Sequence, residues 1–250
     1  MTPERLQAAY YTETALRYDG MHTADVHDEH YAALRIIDAL SGLLDLSSFL
    51  DVGAGTGRAV SYLRDRGRQV KGIEPVEALI SQARAKGLPE DDILCGDGRF
   101  LPFPDRSFDA VLECGVLHHV ADPSVVVKEM MRVARKAIFL SDSNRFGQGR
   151  SAARAIKLML YKTGMWNTAR FLQTRGKYYT TSDGDGLAYS YSIFDSYDQL
   201  AGWADLLWCL PTKSDQGLKS WLHPLLTSSH GLLCAIRQVE SWPVGEAGRH

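Results

Sequence analysis

Five short apolar runs mark the first part of the chain: Phe49–Val52, Gln69–Ile73, Asp92–Cys95, Phe108–Leu112 and Lys136–Leu140. Each contains β-branched or aromatic residues and is closed by turn chemistry, and most lead into a segment whose apolar positions recur with helical period. Strand followed by helix, repeated, predicts a parallel sheet covered on both faces. Helices are predicted over 57–66, 76–86 and 123–134. The last opens with Asp122 as N-cap and Pro123 at the first helical position, where a missing N–H costs nothing. Upstream, Tyr31, Leu34, Ile37 and Leu40 share one helical face. They predict that residues 1–45 form a helical lid plus one helix packed on the sheet.

Beyond Leu140 the alternation stops, and 145–196 reads as an insertion. A helix is predicted over 197–204, then apolar runs at Leu206–Leu210 and Gly231–Ile236. These would add two closing strands to make a seven-stranded sheet. The resulting division is a lid (1–45), a core (46–144), an inserted substrate cap (145–196), the end of the core sheet (197–240) and a tail (241–250). A net charge of −2 on 250 residues lacks the footprint of a general nucleic-acid binder, and no DNA partner is expected. Cys95, Cys114, Cys209 and Cys234 are scattered through apolar runs, so they read as reduced and mostly buried rather than as a zinc or disulfide set. With no signal-like or membrane-length apolar run, a soluble cytoplasmic protein is expected, and peripheral membrane contact stays open.

The sharpest chemical signal is Asp51-Val-Gly-Ala-Gly-Thr-Gly57, a glycine-rich turn between a strand and a helix. Glycines let the backbone turn tightly and approach a ligand with no Cβ in the way. A dinucleotide turn would carry a third glycine at position 58, which holds Arg58, and the Gly-Lys-Ser/Thr of a phosphate loop is absent. Glu74 ends the second strand, where a carboxylate accepts from ribose hydroxyls. Cys95-Gly-Asp97-Gly-Arg-Phe100 follows the third, offering a carboxylate and an apolar wall to an adenine. An adenosine-type ligand without pyrophosphate fits this set.

Taken together, Asp51–Gly57, Glu74, Asp97, Phe108-Asp-Ala-Val111 and Val116-Leu-His-His-Val120 resemble the class I S-adenosylmethionine-dependent methyltransferases. The likeness is strongest to the small-molecule branch of ubiquinone and menaquinone methyltransferases, over about 46–144. It implies a Rossmann-like, mostly parallel sheet in the order 3-2-1-4-5-7-6 with the last strand antiparallel, and S-adenosyl-L-methionine as cofactor. By position it implies Gly53 and Gly55 at the methionine part, Glu74 at the ribose, and Asp97 with Gly98 at the adenine. Asp51, Ala54, Gly57, Pro75, Arg99, Glu113 and the lid residue Tyr18 complete the expected cofactor contacts.

Methyl transfer is an in-line displacement governed by alignment, and a hydroxyl acceptor must also lose its proton. His118 and His119, just past the fourth strand, are candidates for that base, and Glu113 for orienting the acceptor or the cofactor's amino group. Structural roles for all three stay open. Asp142 and Asn144 end the fifth strand, as acceptor ligands or as caps. His223 and His230 read as structural. The stretch His22 to His30 lacks ligand spacing and reads as a solvated helix start, so no metal site is expected.

Between Arg145 and Lys177 stand Arg145, Arg150, Arg154, Lys157, Lys162, Arg170, Arg175 and Lys177, with no acidic residue. Interleaved apolar residues predict a basic amphipathic helix pair. It could cap an anionic acceptor, meet anionic lipid, face RNA, or simply be solvated. The loop that follows carries Tyr178, Tyr179, Tyr189 and Tyr191 among Ser, Thr and Asp, a composition suited to a sugar or other polyol. The reading is O-methylation of a small polyhydroxylated, glycan or lipid-linked acceptor with a histidine base. The alternatives are C- or N-methylation of a quinone-like metabolite, a tRNA-modifying enzyme, or a non-catalytic binding module.

Overall fold

The computed structural model describes residues 2–22, 25, 27–214 and 227–237. His223 and the tail 241–250 lie outside the described residues. Along the chain run α1 (Pro3–Thr14), α2 (Tyr18–His22), α3 (Glu29–Leu43), β1 (Ser48–Val52), α4 (Arg58–Arg64), β2 (Gln69–Glu74), α5 (Glu77–Ala85), β3 (Ile93–Cys95) and β4 (Phe108–Cys114). There follow α6 (Pro123–Val133), β5 (Ala134–Ser143), α7 (Ser151–Lys162), α8 (Trp166–Gln173), β6 (Tyr179–Ser182), β7 (Gly186–Tyr189), α9 (Tyr197–Ala201), β8 (Leu206–Ser214) and β9 (Ser228–Ile236).

The main sheet has the order β3-β2-β1-β4-β5-β9-β8. β1 to β5 pair in parallel, while β9 is antiparallel to both neighbours. This is the seven-stranded Rossmann-like order that the resemblance implied. Strand side chains alternate between faces and so feed two cores. Phe49, Ala110, Leu112 and Phe139 enter one with Leu34 and Ile37 of α3, and Tyr31 and Leu40 pack at its margin. Leu50, Val111, Ile138 and Leu140 enter the other with Val126, Val127 and Met130 of α6. The Asp122 side chain accepts from Ser124 N to cap α6, with Pro123 in its first turn.

Helix ends depart from the sequence reading by a few residues. Ala134 belongs to β5, because pairing with Phe108 draws it into the sheet, and α9 stops at Ala201. The cysteine expectation needs correcting. All four thiols are free, but Cys95 and Cys209 are exposed, since β3 and β8 are the sheet's two edge strands. The insertion is two helices and a two-stranded hairpin, β6-β7. No helix among the described residues is long and apolar enough to cross a membrane.

Candidate active site

β1 runs into the turn 53–57 at the carboxyl edge of the sheet. Gly53 has φ of 75°, and a Cβ on it would lie 2.4 Å from Val116 Cγ2, so the close approach of this turn to the β4–α6 connection requires glycine. Glu74 braces the turn: Oε2 accepts from Gly55 N and Oε1 from Val76 N, each at 2.9 Å. Burial pushes its carboxyl up to about 7. Pro75 lies between Glu74 and that second donor.

Burial also raises Asp51 to about 7, and its Oδ1 has no hydrogen-bond partner. Glu113 is fully buried, accepts from Val116 N through Oε2, and has a partnerless Oε1. Burial first, then the Asp142 carboxylate, holds its carboxyl far above the ordinary range. Buried carboxyl oxygens without donors are costly unless a cation or donor reaches them. The ammonium and sulfonium of the expected cofactor would supply positive charge there, so these residues fit that group.

The lid presses on this edge. Tyr18 lies over Gly55, and the Thr56 hydroxyl donates to Asp19 of α2, which also pairs with Lys86 at 2.8 Å. Tyr18, Asp51, Gly53, Ala54, Thr56, Arg58, Ala59 and Cys114 line a slot of only about 10 Å³. Gly57 sits at the foot of α4, away from the slot, with Leu88 against it. Asp97 is bound bidentately by Arg99, whose hydrogen bonds lower its pKa ahead of the opposing effect of burial. Gly98 packs on Val52, and Phe100, expected as an adenine wall, is 76% exposed.

The second half of the site centres on His118 and His119. His118 Nδ1 donates to Asp142 Oδ1 at 2.7 Å, and Nε2 lies 3.2 Å from Asp185 Oδ2. Burial alone would lower its pKa, but the carboxylates of Asp142 and Asp185 outweigh it and raise it well above the histidine range. Both ring nitrogens of His118 thus face carboxylates. His119 Nδ1 donates to the Leu187 carbonyl at 2.6 Å, while Nε2 accepts from the Tyr11 hydroxyl at 2.8 Å.

Asp185 belongs to the turn of the β6-β7 hairpin, which docks on α1. Gln7 Oε1 accepts from Leu187 N, Gln7 Nε2 donates to the Asp185 carbonyl at 3.2 Å, and the Tyr10 hydroxyl donates to the Asp183 carbonyl at 2.8 Å. At Gly186, with φ of 66°, a Cβ would meet Gln7 Oε1 at 2.6 Å. The hairpin, lid and histidine pair open on a cavity of about 780 Å³. Its wall includes Tyr18, His118, Asp185, Tyr189 and Tyr191, with Arg145, Lys157, Arg170 and Lys213.

Several expected acceptor ligands lie elsewhere. Asp142 is fully buried and meets only the cluster, through His118 and Ser143 N. Asn144 caps the next turn by accepting from Phe146 N, and donates to the Ser228 carbonyl. Tyr178 is exposed and packs on Phe171, and Tyr179 packs on Tyr189. The N-terminal histidines have no common focus: His22 stacks on Tyr18 and His30 meets Ser141. Asp185 and Gln7 were not singled out from the sequence. Asp183-Gly-Asp-Gly186 marks a turn, but which carboxylate turns inward depends on docking.

Residues 50–140 match the family described as "Methyltransferase domain". An uncharacterized methyltransferase of Mycobacterium tuberculosis is 38% identical over 86 residues, covering 34% of this chain and 35% of that protein. A demethylmenaquinone methyltransferase of Renibacterium salmoninarum is 29% identical over 128 residues, covering 51% and 54%. The chain therefore spans about a third of the first relative and about half of the second. In fold it is similar to a SAM-dependent methyltransferase of Thermotoga maritima, with a TM-score of 0.60 and 17% identity, covering 93% of this chain and 100% of that one.

Proposed function

We propose that this chain, a class I S-adenosylmethionine-dependent methyltransferase by its family match and fold, methylates a hydroxyl of a small, polar, anionic acceptor held in the large cavity. When bound, the cofactor would supply an electrophilic methyl group on a sulfonium, with the thioether as leaving group. Asp51 and Glu113 hold the cofactor's cationic end, Glu74 its ribose, and Asp97 with Gly98 its adenine. Tyr18 covers it. His118, His119 and Asp185 form the polar floor that aligns the acceptor hydroxyl, with a histidine Nε2 as the base that takes its proton.

One observation carries this reading: the 780 Å³ cavity joins the His118–Asp185 cluster to a basic wall. In that wall, Arg145 meets the Asp195 carboxylate through Nη2, while its Nε, like that of Arg170, is buried without a hydrogen-bond partner. Buried guanidinium donors favour carboxylate or phosphate oxygens, which match their fork. A polyol or glycan bearing an acidic group meets both features, and Tyr189 offers its ring.

The test is incubation with isotopically labelled methyl donor and fractionated polar metabolites, with the labelled product identified by mass. An O-methylated anionic product is expected. Label on carbon or nitrogen of a quinone-like product would replace this reading with the one suggested by the demethylmenaquinone relative. Labelled RNA, with retention that falls steeply with salt, would replace it with RNA modification.

A further inference from the structure

His118 and His119 stand side by side, their ring centroids 4.0 Å apart. On each ring Nδ1 is committed to an oxygen that only accepts: the Asp142 carboxylate at 2.7 Å and the Leu187 carbonyl at 2.6 Å. Each Nδ1 therefore carries a proton, and each Nε2 is the nitrogen able to present a lone pair. Both Nε2 atoms face one carboxylate. Asp185 Oδ2 is 3.2 Å from that of His118, and Oδ1 is 3.4 Å from that of His119. Two imidazole nitrogens and a carboxylate that converge in this way call for positive charge among them.

We propose that His118 Nε2, His119 Nε2 and the Asp185 carboxylate bind a divalent first-row transition cation. Their donor atoms all lie within 4.8 Å of one another, the one such group found among the described residues. Donors around a tetrahedral ion with bonds of roughly 2.0–2.1 Å stand about 3.3–3.4 Å apart, close to the two spacings observed. The outer contacts also match. A carboxylate behind one imidazole and a main-chain carbonyl behind the other are what orient ligating histidines and fix their tautomer. Two nitrogens with one oxygen suit zinc, iron, cobalt, nickel or manganese better than magnesium or calcium.

Sequence spacing drew attention only to the N-terminal histidines, because Asp185 comes from a hairpin 67 residues away from His118. The Tyr11 hydroxyl flanks His119 Nε2, while His118 and Asp185 line the cavity, so open coordination positions would face the acceptor. Only the use of the site rests on the hydroxyl-methylation reading: the cation would bind the acceptor oxygen and weaken its hold on the proton. Cation binding itself is independent of that reading.

The test is titration of tag-free, chelator-stripped protein with Co²⁺, followed by visible absorption and calorimetry. One equivalent is expected to bind. Asp185→Asn should weaken binding at least tenfold and His119→Ala should abolish saturable uptake, while His27→Ala leaves it unchanged. Asp142→Asn should weaken it by about 10- to 100-fold by releasing the His118 ring. Circular dichroism verifies each fold, and the near-isosteric Asp185→Asn decides alone if His119→Ala does not fold. Absence of saturable Co²⁺ uptake up to about 1 mM, far above the affinity of a built site, overturns the proposal. So does uptake that Asp185→Asn leaves intact. Co²⁺ binding without any hydroxyl product would keep the site and retire the hydroxyl reading. Full turnover on a hydroxyl acceptor in excess chelator would keep the hydroxyl reading and overturn the cation's part in it.

Discussion

On the cofactor edge, the side chains that carry chemistry lie within a few residues of the strand ends that place them. Asp51 is in β1, Glu74 ends β2, and Glu113 lies one residue before the end of β4. The cap works differently, since Asp185 meets His118 only because a hairpin is pinned by α1, with Gln7 reaching Leu187 across 180 residues. The first arrangement follows from the sheet and survives as long as the sheet does. The second depends on a docking event between two peripheral pieces, so it can be undone without unfolding the core. On the proposed reading, donor chemistry is built into the sheet, and acceptor chemistry is attached to it.

That contrast predicts that damage to one region spares the other. Gly53→Val places a branched side chain on a left-handed residue against Val116, combining strain with overpacking. Cofactor affinity measured by calorimetry should fall at least about 1,000-fold, or about 4 kcal/mol, with Co²⁺ affinity at the hairpin retained. Loss of both would show that the regions are not independent.

Asp51→Asn probes the cofactor edge through pH. The wild-type carboxyl titrates near 3.8 when unfolded and at about 7 when folded, because burial disfavours its charge. A raised folded pKa contributes stability that is complete below the unfolded value and is lost as pH rises through the folded one. Relative to Asp51→Asn, the apo protein should therefore lose stability between about pH 4 and 7 and level off above. At roughly 1.4 kcal/mol per pKa unit the total is on the order of 4 kcal/mol, read by urea denaturation across pH. A flat difference would mean that Asp51 is ionised and partnered in the fold.

Gln7→Ala removes the clasp between α1 and the hairpin, a buried amide joined to Leu187 N and the Asp185 carbonyl. A loss of about 1–3 kcal/mol is expected, together with faster proteolysis within 179–189 and a cofactor affinity no weaker than that of the wild type. Tyr178→Ala, at an exposed ring outside the cavity, should stay within about 0.5 kcal/mol and within twofold in turnover. A strong effect there would extend the acceptor site past its present wall.

The legible part of the molecule was the part governed by local rules. Short apolar runs with β-branched and aromatic residues announced Phe49–Val52 and Phe108–Leu112, and the glycine spacing with Arg58 at the sixth place separated this turn from a dinucleotide turn. Leu34 and Ile37 were placed on the core by helical period alone. What could not be read was set by partners distant in sequence. Asp142 looks like a strand-end ligand until its burial behind His118 is seen. Asn144 looks the same until it is found capping a turn. Tyr178 and Tyr189 are equivalent in composition, yet the hairpin turns only Tyr189 to the cavity. Edge position, a property of sheet order, exposed Cys95 and Cys209.

The lid that lays Tyr18 over Gly55 and ties Thr56 to Asp19 leaves about 10 Å³ in the slot beneath it, so on the cofactor placement proposed above α2 would have to shift to admit S-adenosylmethionine. The same α1 clasps the hairpin that carries Asp185. Because α1 leads into α2, a shift that admits the donor would loosen the proposed acceptor floor, whose reassembly would follow. Such coupling imposes a compulsory order: donor on first, acceptor second, methylated product away before the spent donor. In initial-rate kinetics, the spent donor should compete with the donor and inhibit noncompetitively against the acceptor.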